Sequence, residues 1–305
     1  MNATGQYEFP VLRDEHGRIC NAMSIDVEDY FHVAAFDGCI DPGSWERLEH
    51  RVRENTARVL ALLRESGARA TFFVLGWVAE RYPELVRDIV AGGHEIACHG
   101  YMHRKATEQS REEFREDVHR AKGVLEDIAG REVIGYRAPT YSIGQDNPWA
   151  YEILESLGFR YSSSIYPVRH DLYGVPDAPR YPHYVQDGGL IEIPISTLRV
   201  RGRNLPCGGG GYFRLLPYFY TRLACRHINH RERKPYNFYF HPWEIDPEQP
   251  RIGGAPLKSR FRHYTNLSRM ERKLRRLFAS CPWRSMGEVY GICTNQGGVP
   301  DGGST

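Results

Sequence analysis

The chain has 305 residues, with 41% hydrophobic and 26% charged content, which is ordinary for a folded globular protein. Its 40 basic and 38 acidic residues leave a formal net charge of +2, so the charge balance calls for no nucleic acid partner. Seven cysteines, odd in number and with no CxxC pair, argue against a zinc knuckle or a disulfide framework, and no apolar run is long enough to span a bilayer.

Residues 1–20 read as an arm with a turn at Asp14-Glu15-His16-Gly17. The first 18 residues are polar and have no apolar signal-peptide core, so the sequence predicts a soluble, cytoplasmic protein. The short apolar run 22–25 then meets Asp26-Val27-Glu28-Asp29. Three carboxylates at the end of a buried strand are costly unless a cation or a metal compensates them. Residues 45–66 carry Val52, Thr56, Val59, Leu60 and Leu63 at helical spacing, with Gly67 as the stop. Residues 70–75 predict an inner strand and 77–91 a second helix, ended by Gly92-Gly93.

The strand 94–98 delivers His99 and His103. On a helical turn, residues four apart have Cβ atoms roughly 5–6 Å from each other, close enough to share a metal. In a chain with 13 histidines such a pair is more often two packing or surface residues, so it needs companions to mean anything.

Ser110 and Glu113 form a capping box for a helix to about Ala129, with a core stripe of Phe114, Val118, Ala121, Leu125 and Ile128. A strand over 133–136 ends in Arg137-Ala138-Pro139, a helix follows over 148–157, and 159–161 begins another strand. From 22 to 165 the chain alternates strand and helix through short connections, which predicts a parallel sheet of barrel type. Residues 166–190 read as a surface excursion and 190–195 as a strand. Cys207-Gly208-Gly209-Gly210-Gly211-Tyr212 lacks the lysine of a phosphate loop, leaving a flexible turn or a loop on an active-site rim. The strand 237–240 ends in His241-Pro242-Trp243-Glu244. A basic helix follows from Ser268 to about Ala279, either a solvated face or an attraction for an anionic polymer, and 294–305 predict a disordered tail.

Four strand ends thus carry reactive groups: Asp26/Glu28/Asp29, His99/His103, Arg137 and His241. Two imidazoles and one carboxylate make a three-ligand metal site with positions left for water and substrate. A carboxylate outside that set can serve as base and a separate histidine as acid.

The ordered motifs Ser24-Ile-Asp26-Val-Glu28-Asp29, Ala70-Thr-Phe-Phe-Val, Gly93-His-Glu-Ile-Ala-Cys-His99-Gly-Tyr-Met-His103, Tyr136-Arg137-Ala-Pro139 and Phe240-His241-Pro resemble the polysaccharide deacetylase family (NodB homology, carbohydrate esterase 4) over about residues 20–245. Asp-Val-Glu-Asp-Tyr-Phe and the later Arg262-His-Tyr-Thr-Asn-Leu267 resemble the exosortase-associated exopolysaccharide deacetylases. The resemblance implies an α/β fold, a distorted (β/α)7 barrel with a C-terminal helical extension over 246–293. It also implies a divalent metal, usually zinc, and hydrolysis of N-acetyl groups on an N-acetylated polysaccharide or oligosaccharide. Position by position, Asp26 matches the catalytic base, Arg137 the arginine that orients it, and His241 the general acid. His99 and His103 match the metal histidines, and either Glu28 or Asp29 completes the metal set. For that reaction a backbone N–H near Thr140 or Tyr141 would help hold the oxyanion, and Tyr141, Tyr212 and Trp243 read either as sugar-stacking platforms or as core packing.

One departure stands out. Relatives tend to read Tyr-Asp-Ser-Ser where this chain has Tyr161-Ser162-Ser163-Ser164. An acidic partner of the arginine/histidine layer is therefore missing, with Asp171, Asp187 or Glu192 as spatial substitutes. Two rival functions follow from the same residues: an allantoinase-like hydrolase of small cyclic amides, and a catalytically weak glycan-binding scaffold.

Overall fold

The computed structural model describes residues 9–185 and 189–292; residues 1–8, the expected tail over 294–305 and Asp187 lie outside the described residues. β1 (Asn21–Val27) is buried along its whole length, as a strand covered on both faces must be. The two-residue period of a strand sorts its side chains. Met23, Ile25 and Val27 join the main core beneath the helices, while Ala22 belongs to a smaller core inside the curl of the sheet. Asp26, in phase with Ala22, is carried on that inner row to the strand's carboxyl end.

α1 (Val52–Ser66), β2 (Thr71–Val74), α2 (Gly76–Arg81), α3 (Pro83–Ala91) and β3 (Glu95–Cys98) follow. Then come α4 (Arg111–Ala129), β4 (Gly135–Tyr136), α5 (Trp149–Ser156), β5 (Tyr161–Ser162), β6 (His183–Tyr184) and β7 (Ile191–Glu192). A hairpin of β8 (Thr197–Val200) and β9 (Arg203–Pro206) leads to α6 (Gly210–Leu215), α7 (Tyr218–His227) and β10 (Asn237–Phe240). α8 (Leu257–Tyr264), α9 (Leu267–Phe278), β11 (Trp283–Arg284) and α10 (Met286–Val289) complete the described chain.

The main sheet runs β10-β1-β2-β3-β4-β5-β7-β6, with β11 also paired to β1. Every pairing in it is parallel except β6 with β7. The fold is the expected α/β class, a curled parallel sheet. Its open side, next to β10, is bridged by the base of the hairpin: Asn237 N–H donates to Ser196 Oγ (2.8 Å) and Tyr239 N–H to the Gly208 carbonyl (2.8 Å). The glycine run is accordingly packed rather than loose, because a Cβ on Gly208 would meet the Asn237 carbonyl and one on Gly210 would collide with Glu244 Oε1.

Two helices differ from the expected spans. Residues 45–51 do not join α1: a 3-10 turn spans Pro42–Arg47, Leu48 is extended, and the helix begins at Val52. The span 77–91 is two helices, divided at Tyr82 because Pro83 supplies no N–H to continue the first. The C-terminal segment is woven into the sheet through β11 and α10, whose Met286 and Val289 fill the inner core. No helix of the described residues is long and apolar enough to cross a membrane.

Candidate active site

The carboxyl ends of β1, β3, β4 and β10 converge on one pocket of about 330 Å³, where Asp26, Glu28, His99, His103 and His241 all reach the lining. Arg137 stands behind them, fully buried. Its Nη1 donates to Asp26 Oδ1 (2.5 Å), Nη2 to Ser24 Oγ and Ser163 Oγ (3.0 Å each), and Nε to the Ser163 carbonyl (3.0 Å). The guanidinium also lies 4.0 Å over the Phe73 ring centroid. A buried arginine held this way fixes one carboxylate oxygen and leaves Asp26 Oδ2 toward the pocket, 3.9 Å from His241 Nε2.

Glu28, His99 and His103 offer ligand atoms that all lie within 4.8 Å of one another. His99 Nδ1 sits 2.8 Å from the Arg137 carbonyl, which can only accept, so Nδ1 carries the hydrogen and Nε2 keeps its lone pair. His103 follows no helical turn. Gly100 and His103 both have positive φ (77° and 53°), and the Asp117 carboxylate of α4 accepts from Tyr101 N–H (2.7 Å) and Met102 N–H (3.3 Å). The pair is thus held by a strained loop, a cost that clusters at functional sites.

Glu28 Oε2 is buried and makes no hydrogen bond, although His103 Nε2 is only 3.3 Å away. An orphaned carboxylate oxygen facing imidazole nitrogens is what a site shaped for a cation leaves when only protein atoms are counted. Burial works to raise the Glu28 pKa, but His103 and His241 overcome it and hold the carboxyl well below the usual range. The donor set of one carboxylate and two imidazoles fits a divalent transition metal such as zinc.

Asp29, the alternative metal carboxylate of the sequence reading, is not in this cluster. Its Oδ1 accepts from Tyr30 N–H (2.9 Å), and its Oδ2 accepts from Arg51 N–H (2.7 Å) and Val52 N–H (2.9 Å). Both oxygens are spent on backbone donors, the second on the amino end of α1, where negative charge is favoured.

His241 Nδ1 is 2.9 Å from Glu244 Oε1, and its Nε2 is 3.0 Å from Glu28 Oε1. Burial opposes protonation of His241, but Glu28 and Glu244 outweigh it and raise the pKa to about 10. Glu244 in turn accepts from Arg214 Nε (2.6 Å). Burial pushes the Glu244 carboxyl up, and Arg214 and His241 bring it down to about 2. Arg214 is anchored by the carbonyls of Arg262, His263 and Thr265 at 2.7–3.0 Å.

Glu244 and Arg214 were not foreseen from the sequence. The available signal was Glu244 itself, three residues after His241 in His-Pro-Trp-Glu, where a short turn returns its side chain. Of the substitutes expected for the missing acid at Ser162, Asp171 pairs with Lys258 and Arg262 at the rim, and Glu192 accepts from the N–H groups of Ser164 and Ile165. Ser162 itself donates to Ser164 Oγ (2.8 Å). It is Glu244 that supplies the carboxylate beside His241.

Tyr141, Tyr212 and Trp243 all line the pocket. Trp243, however, is only 4% exposed and stacks with His241 (5.1 Å, 20°) and His263 (4.2 Å, 13°), which leaves little of its ring for a sugar. The Tyr141 N–H is taken by the Ala138 carbonyl (3.0 Å), which leaves Thr140 of the two expected oxyanion donors. Both residues have positive φ, 57° and 52°.

Residues 36–162 match the polysaccharide deacetylase family model, and residues 163–291 match the model of a domain of unknown function, DUF3473. The chain is 31% identical over 115 residues to the peptidoglycan deacetylase-like protein FGM2 of Gibberella zeae, covering 37% of this chain and 33% of that protein. It is 32% identical over 100 residues to a peptidoglycan-N-acetylglucosamine deacetylase of Bacillus cereus, covering 32% of this chain and 36% of the relative. The chain therefore spans about a third of the length of these curated relatives. A crystal structure from Mycobacterium smegmatis, described as a polysaccharide deacetylase, superposes with a TM-score of 0.59 at 22% identity over 94% of both chains, a likeness of fold.

Proposed function

We propose that this chain, whose matches support the polysaccharide deacetylase family, is a metal-dependent hydrolase that removes N-acetyl groups from N-acetylhexosamine units of a polysaccharide or its precursor. The observation that carries the reading is the convergence of Glu28, His99 and His103 beside an arginine-held Asp26, with a carboxylate-backed His241 across the same pocket.

Glu28, His99 and His103 would hold the ion, for which we propose zinc. A bound divalent ion polarises an amide carbonyl and makes water more acidic. Asp26 acts as general base: with Oδ1 fixed by Arg137, Oδ2 takes the proton of the attacking water. The Thr140 N–H is the remaining backbone donor for the oxygen that gains charge as the acetamide carbon becomes tetrahedral. His241, its pKa raised by Glu28 and Glu244, gives its Nε2 proton to the departing amine, releasing acetate and a free amino sugar.

The finer assignment to exopolysaccharide synthesis rests on the Asp26–Phe31 and Arg262–Leu267 segments. The second segment lies at the site: Arg262 and His263 line the pocket and Asn266 donates to the Arg214 carbonyl (3.0 Å).

The test is acetate release from N-acetylglucosamine oligomers by purified protein. Release should stop with chelator and return with added zinc or cobalt. No release in the presence of either ion, with glycan binding retained, overturns the reading in favour of a scaffold.

A further inference from the structure

At the amino ends of the strands, away from the pocket, an open groove of about 940 Å³ is bordered by the segments before β1 and β11 and by α7 and α9. Six arginines line it and no lining residue is a carboxylate. Arg18 is paired with Asp14, and Arg13 donates to the Gly17 carbonyl. Among the described residues, Arg222, Arg226, Arg233 and Arg276 have no carboxylate within ion-pairing distance. In a chain whose net charge is only +2, such clustering is local rather than a general surplus. The carboxyl end of α7 offers its last arginine only the weak partial charge of its carbonyls.

A second observation comes from the exposed side of α7. Phe219 and Leu223 are 63% and 59% exposed, far more than large apolar side chains on a covered helix face. At about 100° per residue, Phe219, Arg222, Leu223 and Arg226 share an arc of roughly 100°, opposite the buried Thr221, Ala224 and Cys225. One helix face therefore presents two apolar side chains beside two arginines, with the arginines on the groove side, and the groove adds further cations.

We propose that this face is a peripheral docking site for an anionic phospholipid bilayer. Phe219 and Leu223 enter the boundary between headgroups and acyl chains while the arginines neutralise lipid phosphates and carboxylates. Bare anion binding would explain the arginines but not the exposed apolar pair; an apolar protein partner would leave the unpaired arginines without a role. Interfacial helices combine both features. Each basic residue close to an anionic surface strengthens partitioning by about fivefold. The catalytic pocket, at the opposite ends of the strands, stays clear of the contact, and the inference does not depend on the reaction proposed above.

The test is co-sedimentation of the full chain with vesicles of phosphatidylcholine alone and of phosphatidylcholine mixed with phosphatidylserine, at low and high salt. Binding should require phosphatidylserine and weaken with salt, since exposed charges are screened. The double variant Arg222→Glu/Arg226→Glu should bind about 25-fold more weakly or worse. Phe219→Ser/Leu223→Ser should retain salt-sensitive attraction but lose most of the binding that persists at high salt. Both variants should keep the parent's thermal melt by circular dichroism, because all four side chains are exposed. Equal binding to neutral vesicles, or double variants that bind as the parent does, overturns the proposal. So does saturable binding of inorganic pyrophosphate without vesicle binding, which would mark a small-anion site instead.

Discussion

Exchanging the two adjacent carboxylates at the end of β1 should separate stability from metal binding. Asp29 accepts three backbone N–H bonds at 2.7–2.9 Å, and two of the donors belong to Tyr30 and Val52, both 1% exposed. Replacing it with alanine strands those two donors away from water, while Arg51 N–H is nearer the surface. A stranded buried donor costs ~1–3 kcal/mol and a lost helix cap ~0.5–2 kcal/mol, so Asp29→Ala should cost about 3 kcal/mol. At roughly 2 °C per kcal/mol for a chain of this size, Tm should fall by about 6 °C. Asp29→Asn, which keeps one acceptor oxygen, should cost less. Both variants should still bind one equivalent of zinc by elemental analysis after dialysis. Glu28→Gln conserves shape and strands no backbone donor, although it removes a charge that faces His103 and His241. It should lose zinc affinity by more than the ~10–100-fold typical of a merely supporting group, as measured by chelator competition. Zinc lost from Asp29→Asn but retained by Glu28→Gln would refute the placement of the two carboxylates.

Four further outcomes follow from the same geometry. Because Glu28 and Glu244 raise the His241 pKa to about 10, Glu244→Gln should lower it, so that activity falls off at lower pH on the alkaline side of the kcat profile while zinc content stays unchanged. In the metal-free protein the raised His241 pKa contributes stability that is fully present below its ordinary value of 6.5 and is lost as pH rises through about 10. Melts of metal-free parent and His241→Gln proteins across that window should therefore differ most at the neutral end. Gly210→Ala, whose Cβ would collide with Glu244 Oε1, should destabilise by ~1–3 kcal/mol and reduce kcat by displacing the partner of His241, read from a melt and an acetate assay. Arg137→Lys keeps a charge but cannot reach Asp26, Ser24 and both Ser163 acceptors together, so kcat should fall ~10²-fold or more, with zinc retained on elemental analysis.

Sequence reading reached the elements with a strong local cause. The apolar run 237–240 coincides with β10 because nothing but a buried strand accommodates it, and the Ser110–Glu113 box starts α4 as expected. It also named the groups at the strand ends, since a parallel sheet carries its chemistry there. It placed α1 too early, because what starts that helix is Asp29, 23 residues upstream of Val52, and a capping group supplied from another element leaves no local trace.

The amino-acid order by itself determined the alternation of strands and helices and the set of reactive side chains: Asp26, His99, His103, Arg137 and His241. Only the tertiary structure chose between Glu28 and Asp29 for the histidine cluster. Neighbours in sequence at a strand's end turn in different directions, and backbone donors from α1 claimed one of the two. Only the folded chain showed Glu244 and Arg214 behind His241, where the Ser162 position had pointed to a missing acid. It likewise gathered arginines 13 and 276, far apart in the chain, onto one groove beside α7. Periodicity and motif spacing report contacts within a few residues. Contacts between groups tens or hundreds of residues apart are fixed by packing, and there the division of labour among these carboxylates and cations was decided.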